Sequence, residues 1–134
     1  MALRALRGAI TVDVDEPDEI RRRTVDLLNA LFQRNDLDPD DVISILFTAT
    51  EDLSSLAPAA GARGLGLTDV PLLCAQEMPT DGGLKRCIRL MLHIETDKTK
   101  AELRHVFLRE ATVLRPDLAE PGDETFTTTA PDQS

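Results

Sequence analysis

The run Leu73-Cys74-Ala75-Gln76-Glu77-Met78 is followed by Gly82-Gly83-Leu84-Lys85-Arg86-Cys87-Ile88-Arg89. The first segment reads as a strand that ends in a carboxylate. The glycines turn the chain, and a second strand then opens with an arginine on its polar face. One acid and one fixed cation therefore meet at the edge of a small sheet. Three roles are open to Glu77: general base, salt-bridge partner, or acceptor for a substrate hydroxyl. Arg7, Arg89 and Phe107 each fall on the strand face opposite the apolar one, and Arg115 follows the last strand, just before Pro116. A guanidinium cluster on a sheet suits a carboxylate or phosphate, because the planar fork grips two oxygens at once. The competing reading pairs these arginines with Asp13, Glu77, Glu95 or Glu110 as a solvated charge lattice.

Other chemistry finds less support. Cys74 as a nucleophile needs a basic partner, and His93 and His105 lie in strands with no motif around them. The thiol is expected to be buried and inert. No His, Cys, Asp or Glu pair has a recognised metal-ligand spacing, so no metal is expected. The inventory is thus arginines plus one carboxylate. It suits a reaction that needs little chemical machinery, or simple ligand binding.

The elements that must carry these groups follow from periodicity. Residues 3–14 alternate, with Leu6, Gly8, Ile10, Val12 and Val14 on one face and Ala5, Arg7, Ala9, Thr11 and Asp13 on the other. Asp15-Glu16-Pro17-Asp18-Glu19 starts a helix, since acids and an early proline suit its first turn. Ile20, Thr24, Leu27, Leu28 and Leu31 form its apolar stripe to about Gln33, opposite Arg22, Arg23, Asp26 and Asn29. Strands are expected at Val42 to Thr50, Val70 to Met78, Cys87 to Thr96 and His105 to Leu114, with a short helix from Thr96 to Arg104. Residues 119–134 are rich in Pro, Gly, Asp, Thr and Ser without period, and read as a flexible tail after a domain of residues 1–118. The class is α+β: a mixed sheet with one long helix on one face. The other face, with Ala5, Ala9, Met91 and Phe107, is either solvated or packed on a second copy; self-association is the favoured outcome.

Bulk properties narrow the partners. The chain has 134 residues, 42% of them hydrophobic and 29% charged, with four Phe and neither Trp nor Tyr. That is one ordinary domain whose core rests on aliphatic side chains. A net charge of −9 argues against nucleic acid and anionic membrane surfaces. No apolar run approaches the roughly 20 residues of a membrane helix. The first residues run straight into the alternating strand, so no leader is expected and the cytoplasm is the expected compartment. Two cysteines give no disulfide framework.

Taken in order, these segments resemble the monofunctional chorismate mutases of the AroH class. The pieces are Arg4-Ala5-Leu6-Arg7-Gly8-Ala9, Thr48-Ala49-Thr50-Glu51-Asp52-Leu53, Val70-Pro71 leading into Cys74-Ala75-Gln76-Glu77-Met78, Gly82 to Arg89, Arg104-His105-Val106-Phe107-Leu108 and Val113-Leu114-Arg115-Pro116-Asp117-Leu118. The resemblance runs from about residue 3 to 118. It implies a ferredoxin-like, chorismate-mutase-like subunit, a homotrimer with a pseudo-α/β-barrel centre, and active sites at the subunit interfaces. It implies the Claisen rearrangement of chorismate to prephenate on the way to phenylalanine and tyrosine, without cofactor or metal. By the same resemblance Arg89 lies against the ether oxygen, Arg7 holds the side-chain carboxylate and Glu77 accepts from the ring hydroxyl. Arg63 of a neighbouring subunit sits near the ring carboxylate, Arg115 helps close the site, and Ala59, Leu72, Leu73, Cys74, Phe107 and Leu114 line it. Phe107 stands where the family often has tyrosine, and Ala57 and Ala60 where a larger apolar residue and a lysine occur, which thins the carboxylate-binding shell. Two further readings are an imine or enamine deaminase on a similar trimeric architecture, and a non-catalytic module for a small carboxylate.

Overall fold

The computed structural model describes residues 1–128. Five strands form one mixed sheet in the order β3-β2-β4-β1-β5: β1 (Ala2–Thr11), β2 (Val42–Ala49), β3 (Leu72–Gln76), β4 (Cys87–Thr96) and β5 (Val106–Leu108). β4 is antiparallel to both β1 and β2, while β1 runs parallel to β5 and β2 parallel to β3. One long helix, α1 (Pro17–Asn35), covers one face, so the expected α+β class with a mixed sheet is what the chain adopts.

α1 forms as its residues dictate. Pro17 opens it, Asp18 and Glu19 meet its positive end, and Asp36 closes it in the left-handed region at φ 53. Ile20, Leu27, Leu28 and Leu31 are fully buried against Leu6, Ile10, Ile88, Leu92 and Ile94 of the sheet. A short second helix, α2 (Ala59–Gly64), lies on α1. Gly61 permits that contact, since a Cβ there would meet Thr24 Cβ at 2.8 Å.

β4 starts and ends where its alternation says. β5 does not: the expected strand from His105 to Leu114 stops at Leu108. Arg109 takes φ 56, which strand backbone cannot use, and residues Arg109–Leu114 fold into 3₁₀ turns. This turned segment lies over the sheet face expected to be bare. Ala9 and Phe107 are buried there with Cys87 and Ala111, packed by Leu84, Leu114 and Leu118. Part of that face is therefore covered by the chain itself; Ala5 stays exposed and Met91 half-buried. The expected helix between Thr96 and Arg104 is a single 3₁₀ turn at Lys100–Glu102.

Charged residues expected on the wet side of α1 are also covered. Arg23 and Asp26 are buried, bonded Nη1 to Oδ2 at 2.7 Å, and Asp26 Oδ1 accepts the Thr128 amide at 2.8 Å. Residues 119–128, the first part of the expected tail, run along this side of the helix. Asp123 is 1% exposed and bonded to Arg34 Nη2 at 2.7 Å, and the Arg34 guanidinium stands over the Phe126 ring. The rest of the expected tail, 129–134, lies outside the described residues.

Candidate functional site

Sheet register decides which candidate groups meet. Thr48 of β2 pairs with Arg89 of β4 on one side and with Ala75 of β3 on the other. Side chains alternate along strands, so Leu46, Thr48, Leu73, Arg89 and Met91 share the face away from α1. Arg7 of β1 joins them through its pairing with Met91. Glu77, just past the end of β3, keeps its backbone in line by donating its amide to the Ala49 carbonyl at 2.8 Å. Its carboxylate then turns over the same face. Arg7, Leu46, Thr48, Glu77, Arg89, Leu90 and Met91 line a cavity of about 320 Å³ there.

The chemistry of the pair is visible in its hydrogen bonds. Glu77 Oε1 accepts from Thr48 Oγ1 at 2.5 Å and lies 3.5 Å from Arg89 Nε. Arg89 Nε is buried and makes no hydrogen bond among the described residues. Leaving a charged donor buried and unsatisfied is costly, and a water, an ion or a ligand oxygen relieves it. Behind Arg89, burial pushes the Cys87 thiol up to about 11, against the smaller opposing effect of the Arg89 charge. That thiol is neutral and adds no competing anion to the site.

Arg7 is supported from below. Its guanidinium stands 5.6 Å from the centre of the Phe107 ring, close enough for a cation–π contact. Its amide donates to His105 Nδ1 at 2.9 Å, which requires that nitrogen to be unprotonated. Burial, and then the Arg7 and Arg115 charges, hold the His105 pKa below the usual histidine range. Arg115 is half-exposed and paired with Asp117 at 2.9 Å.

A second cavity, about 570 Å³, opens on the loop side of the same pair. Its lining holds Glu51, Asp52, Glu77 and Asp81 against Lys85 and Arg89. That balance repels an anion, so the smaller cavity beside Arg7 is the better home for one.

The remaining expected residues divide. Leu73 is on the open face and 65% exposed. Leu72 packs partly into the core under α1, and Cys74, in register with the core residue Phe47, also points to the helix side. Cys74 is nevertheless exposed, contrary to its expected burial, because β3 is an edge strand beyond the reach of α1. Ala59 is a buried core residue, and Arg63 is exposed on α2. Phe107 is 2% exposed, with Leu114 packed beside it. A single chain thus brings together Arg7, Glu77 and Arg89, with Phe107 beneath Arg7, and leaves Arg63, Ala59 and Cys74 elsewhere. Thr48, which the sequence alone does not single out, also lines the cavity. Its position directly opposite Arg89 became visible only with the register.

Among the described residues no helix is long and apolar enough to cross a membrane, and no cluster of three or more His, Cys, Asp or Glu could hold a metal. Comparison with known proteins is specific. The family model for chorismate mutase type I matches residues 3–118. The chorismate mutase AroH of Bacillus subtilis is 44% identical over 120 residues, covering 89% of this chain and 94% of that protein. The chorismate mutase AroH of Thermus thermophilus is 44% identical over 117 residues, covering 87% and 96%. A solved chorismate mutase from Clostridium thermocellum superposes with a TM-score of 0.81 at 44% identity, covering 82% of this chain and 98% of that one. Fold, face and comparisons agree that this chain belongs to the type I chorismate mutase family.

Proposed function

We propose that this chain is an isomerase that converts chorismate to prephenate by a Claisen rearrangement, in aromatic amino acid biosynthesis and in the cytoplasm. The reaction breaks a C–O bond and forms a C–C bond in one pericyclic step. It needs no covalent intermediate, proton transfer, cofactor or metal. What it needs is a flexible dianion folded into a compact reactive shape and a positive group where negative charge gathers on the ether oxygen. Arg89 is that group, and the observation that carries the reading is its buried Nε beside the cavity, which faces Glu77 Oε1 at 3.5 Å and makes no hydrogen bond among the described residues. Arg7 holds the side-chain carboxylate from its seat over Phe107. Glu77 accepts from the ring hydroxyl and so orients the ring.

The site is completed in a homotrimer. Arg63 of a neighbouring subunit reaches the ring carboxylate, while Leu73 and Leu114 wall the ring and Arg115 closes the mouth. The exposed strand β3, with Leu73 and Cys74 uncovered, supports an interface there. Residues 1–118 form the catalytic unit and 119–134 an appended segment; the family match over 3–118 supports that division. The test is the loss of chorismate absorbance with purified protein and no added metal, with prephenate identified as product and sedimentation reporting the trimer. A rate no higher than the uncatalysed one refutes the assignment.

A further inference from the structure

Glu77 and Arg89 carry opposite charges and face one another as a loose ion pair, yet no hydrogen bond joins them. Oε1 and Nε stand 3.5 Å apart without a hydrogen bond. A free carboxylate and guanidinium close to about 2.7–2.9 Å, often through two parallel bonds. Closure here would occupy Arg89 before any substrate arrived. Something must hold the pair open.

Two consecutive residues of β2 do so. Ala49 accepts the Glu77 amide at 2.8 Å and fixes where the side chain departs. Thr48 Oγ1 donates to Oε1 at 2.5 Å, to the same oxygen that faces Arg89. An ionised carboxylate only accepts, so the threonine must be the donor. Threonine is branched at Cβ and has few rotamers, and β2 is flanked by β3 and β4, so the hydroxyl has a fixed aim. We infer that Thr48 is a positioning residue that holds the Glu77 carboxylate off Arg89, keeping Nε free for the ether oxygen of the substrate. The inference rests on the mutase reading for its kinetics but not for its geometry.

The experiment is a double-mutant cycle with a structural arm. Thr48→Val keeps the shape and removes the hydroxyl. It should lower kcat/KM about 10- to 100-fold, the range for losing a hydrogen bond to a charged group. Thr48→Ser keeps a donor and should stay within about twofold of the wild type. In a Glu77→Gln background the amide no longer pulls on Arg89, so adding Thr48→Val should cost less than about twofold. A crystal structure of Thr48→Val should show Glu77 closed onto Arg89 Nε within hydrogen-bond distance. If Thr48→Val does not fold, Thr48→Ala replaces it in every arm. Wild-type kcat/KM in the hydroxyl-free variant overturns the inference, as does an undiminished loss in the Glu77→Gln background or a Glu77 that stays put in the crystal. An inactive wild-type protein would instead fault the mutase reading, and the crystal structure would still decide for or against Thr48.

Discussion

On the proposed mutase reading, replacing Arg89 with alanine should separate catalysis from folding. The structural contribution of Arg89 is small. Its side chain is 28% exposed, its one ionic partner among the described residues is Glu77 at 3.5 Å, and that contact is not a hydrogen bond. Partly exposed pairs of this kind are worth about 0–1 kcal/mol. Glu77 keeps its bonds to Thr48 and to the Ala49 carbonyl when Arg89 is gone. Removing Nε also removes a buried donor that the free protein leaves unsatisfied. The stability of Arg89→Ala should therefore lie within about 1 kcal/mol of the wild type. The catalytic loss is larger. One preorganised donor aimed at developing charge is worth about 2.7–4 kcal/mol, or 10²–10³ in kcat, and Arg89 carries a full charge as well. Arg89→Lys restores the charge without the planar fork and should recover only part of the rate. Chorismate turnover gives kcat, and urea unfolding of the same samples gives stability. A kcat within tenfold of the wild type would show that the charge is misassigned. A stability loss above about 3 kcal/mol would show that Arg89 holds the sheet together.

Phe107→Tyr adds a hydroxyl under Arg7 and should lower KM for chorismate about tenfold, the value of one hydrogen bond to a charged group; an unchanged KM would mean that the carboxylate is already satisfied. His105 has a folded pKa below its unfolded value of about 6.5, so between the two the unfolded chain binds more protons and stability rises with pH. The melting temperature should therefore fall as pH drops from 7 through 6.5 and below, as the ring gains charge beside Arg7 and Arg115 and loses the Arg7 amide. His105→Asn keeps an acceptor without titrating and should flatten that slope; an identical slope in the variant would acquit His105. Asp123→Ala breaks a bond between a fully buried carboxylate and Arg34, whose side chain is 16% exposed with Glu120 at 3.9 Å as a fallback. Urea unfolding should show a loss of about 1.5–3 kcal/mol, and a loss under about 0.5 kcal/mol would place Asp123 among ordinary surface positions.

What the linear chain disclosed depended on how local each cause was. β4 was legible to the residue because strict alternation from Cys87 to Thr96 has one reading, and α1 to within about a turn because its stripe and its acidic first turn agree. β5 was overrun because the apolar pattern continues past Leu108 while the turn at Arg109 is made by a residue with no turn signature. Its left-handed backbone is stabilised from afar, by its side chain bonding the Phe126 carbonyl and by the Glu110 amide bonding Thr11 Oγ1. Arg23 and Asp26 looked solvated for the same reason. Their cover comes from residues 127 and 128, a contact about a hundred positions away that no local window contains. Thr48 belongs to this class too, since its importance lies in facing two other strands.

The site divides along the same line, and the division bears on assembly. Arg7, Glu77 and Arg89, which line one cavity, are legible as candidates because each lies on or beside a readable strand with a readable face. Arg63 was assigned through family likeness alone, and in one chain it stays on α2, on the far side of the sheet from the cavity. Charge balance supports the likeness on the proposed mutase reading. A dianion with a breaking ether bond calls for three positive contacts: one per carboxylate and one at the oxygen. The cavity lined by Glu77 offers two, Arg7 and Arg89. Arg115 is engaged with Asp117, and Lys85 stands in the acid-rich cavity on the loop side. On the proposed mutase reading the third cation comes from outside this sheet face. An exposed edge strand with Leu73 uncovered is where a second copy would bring it.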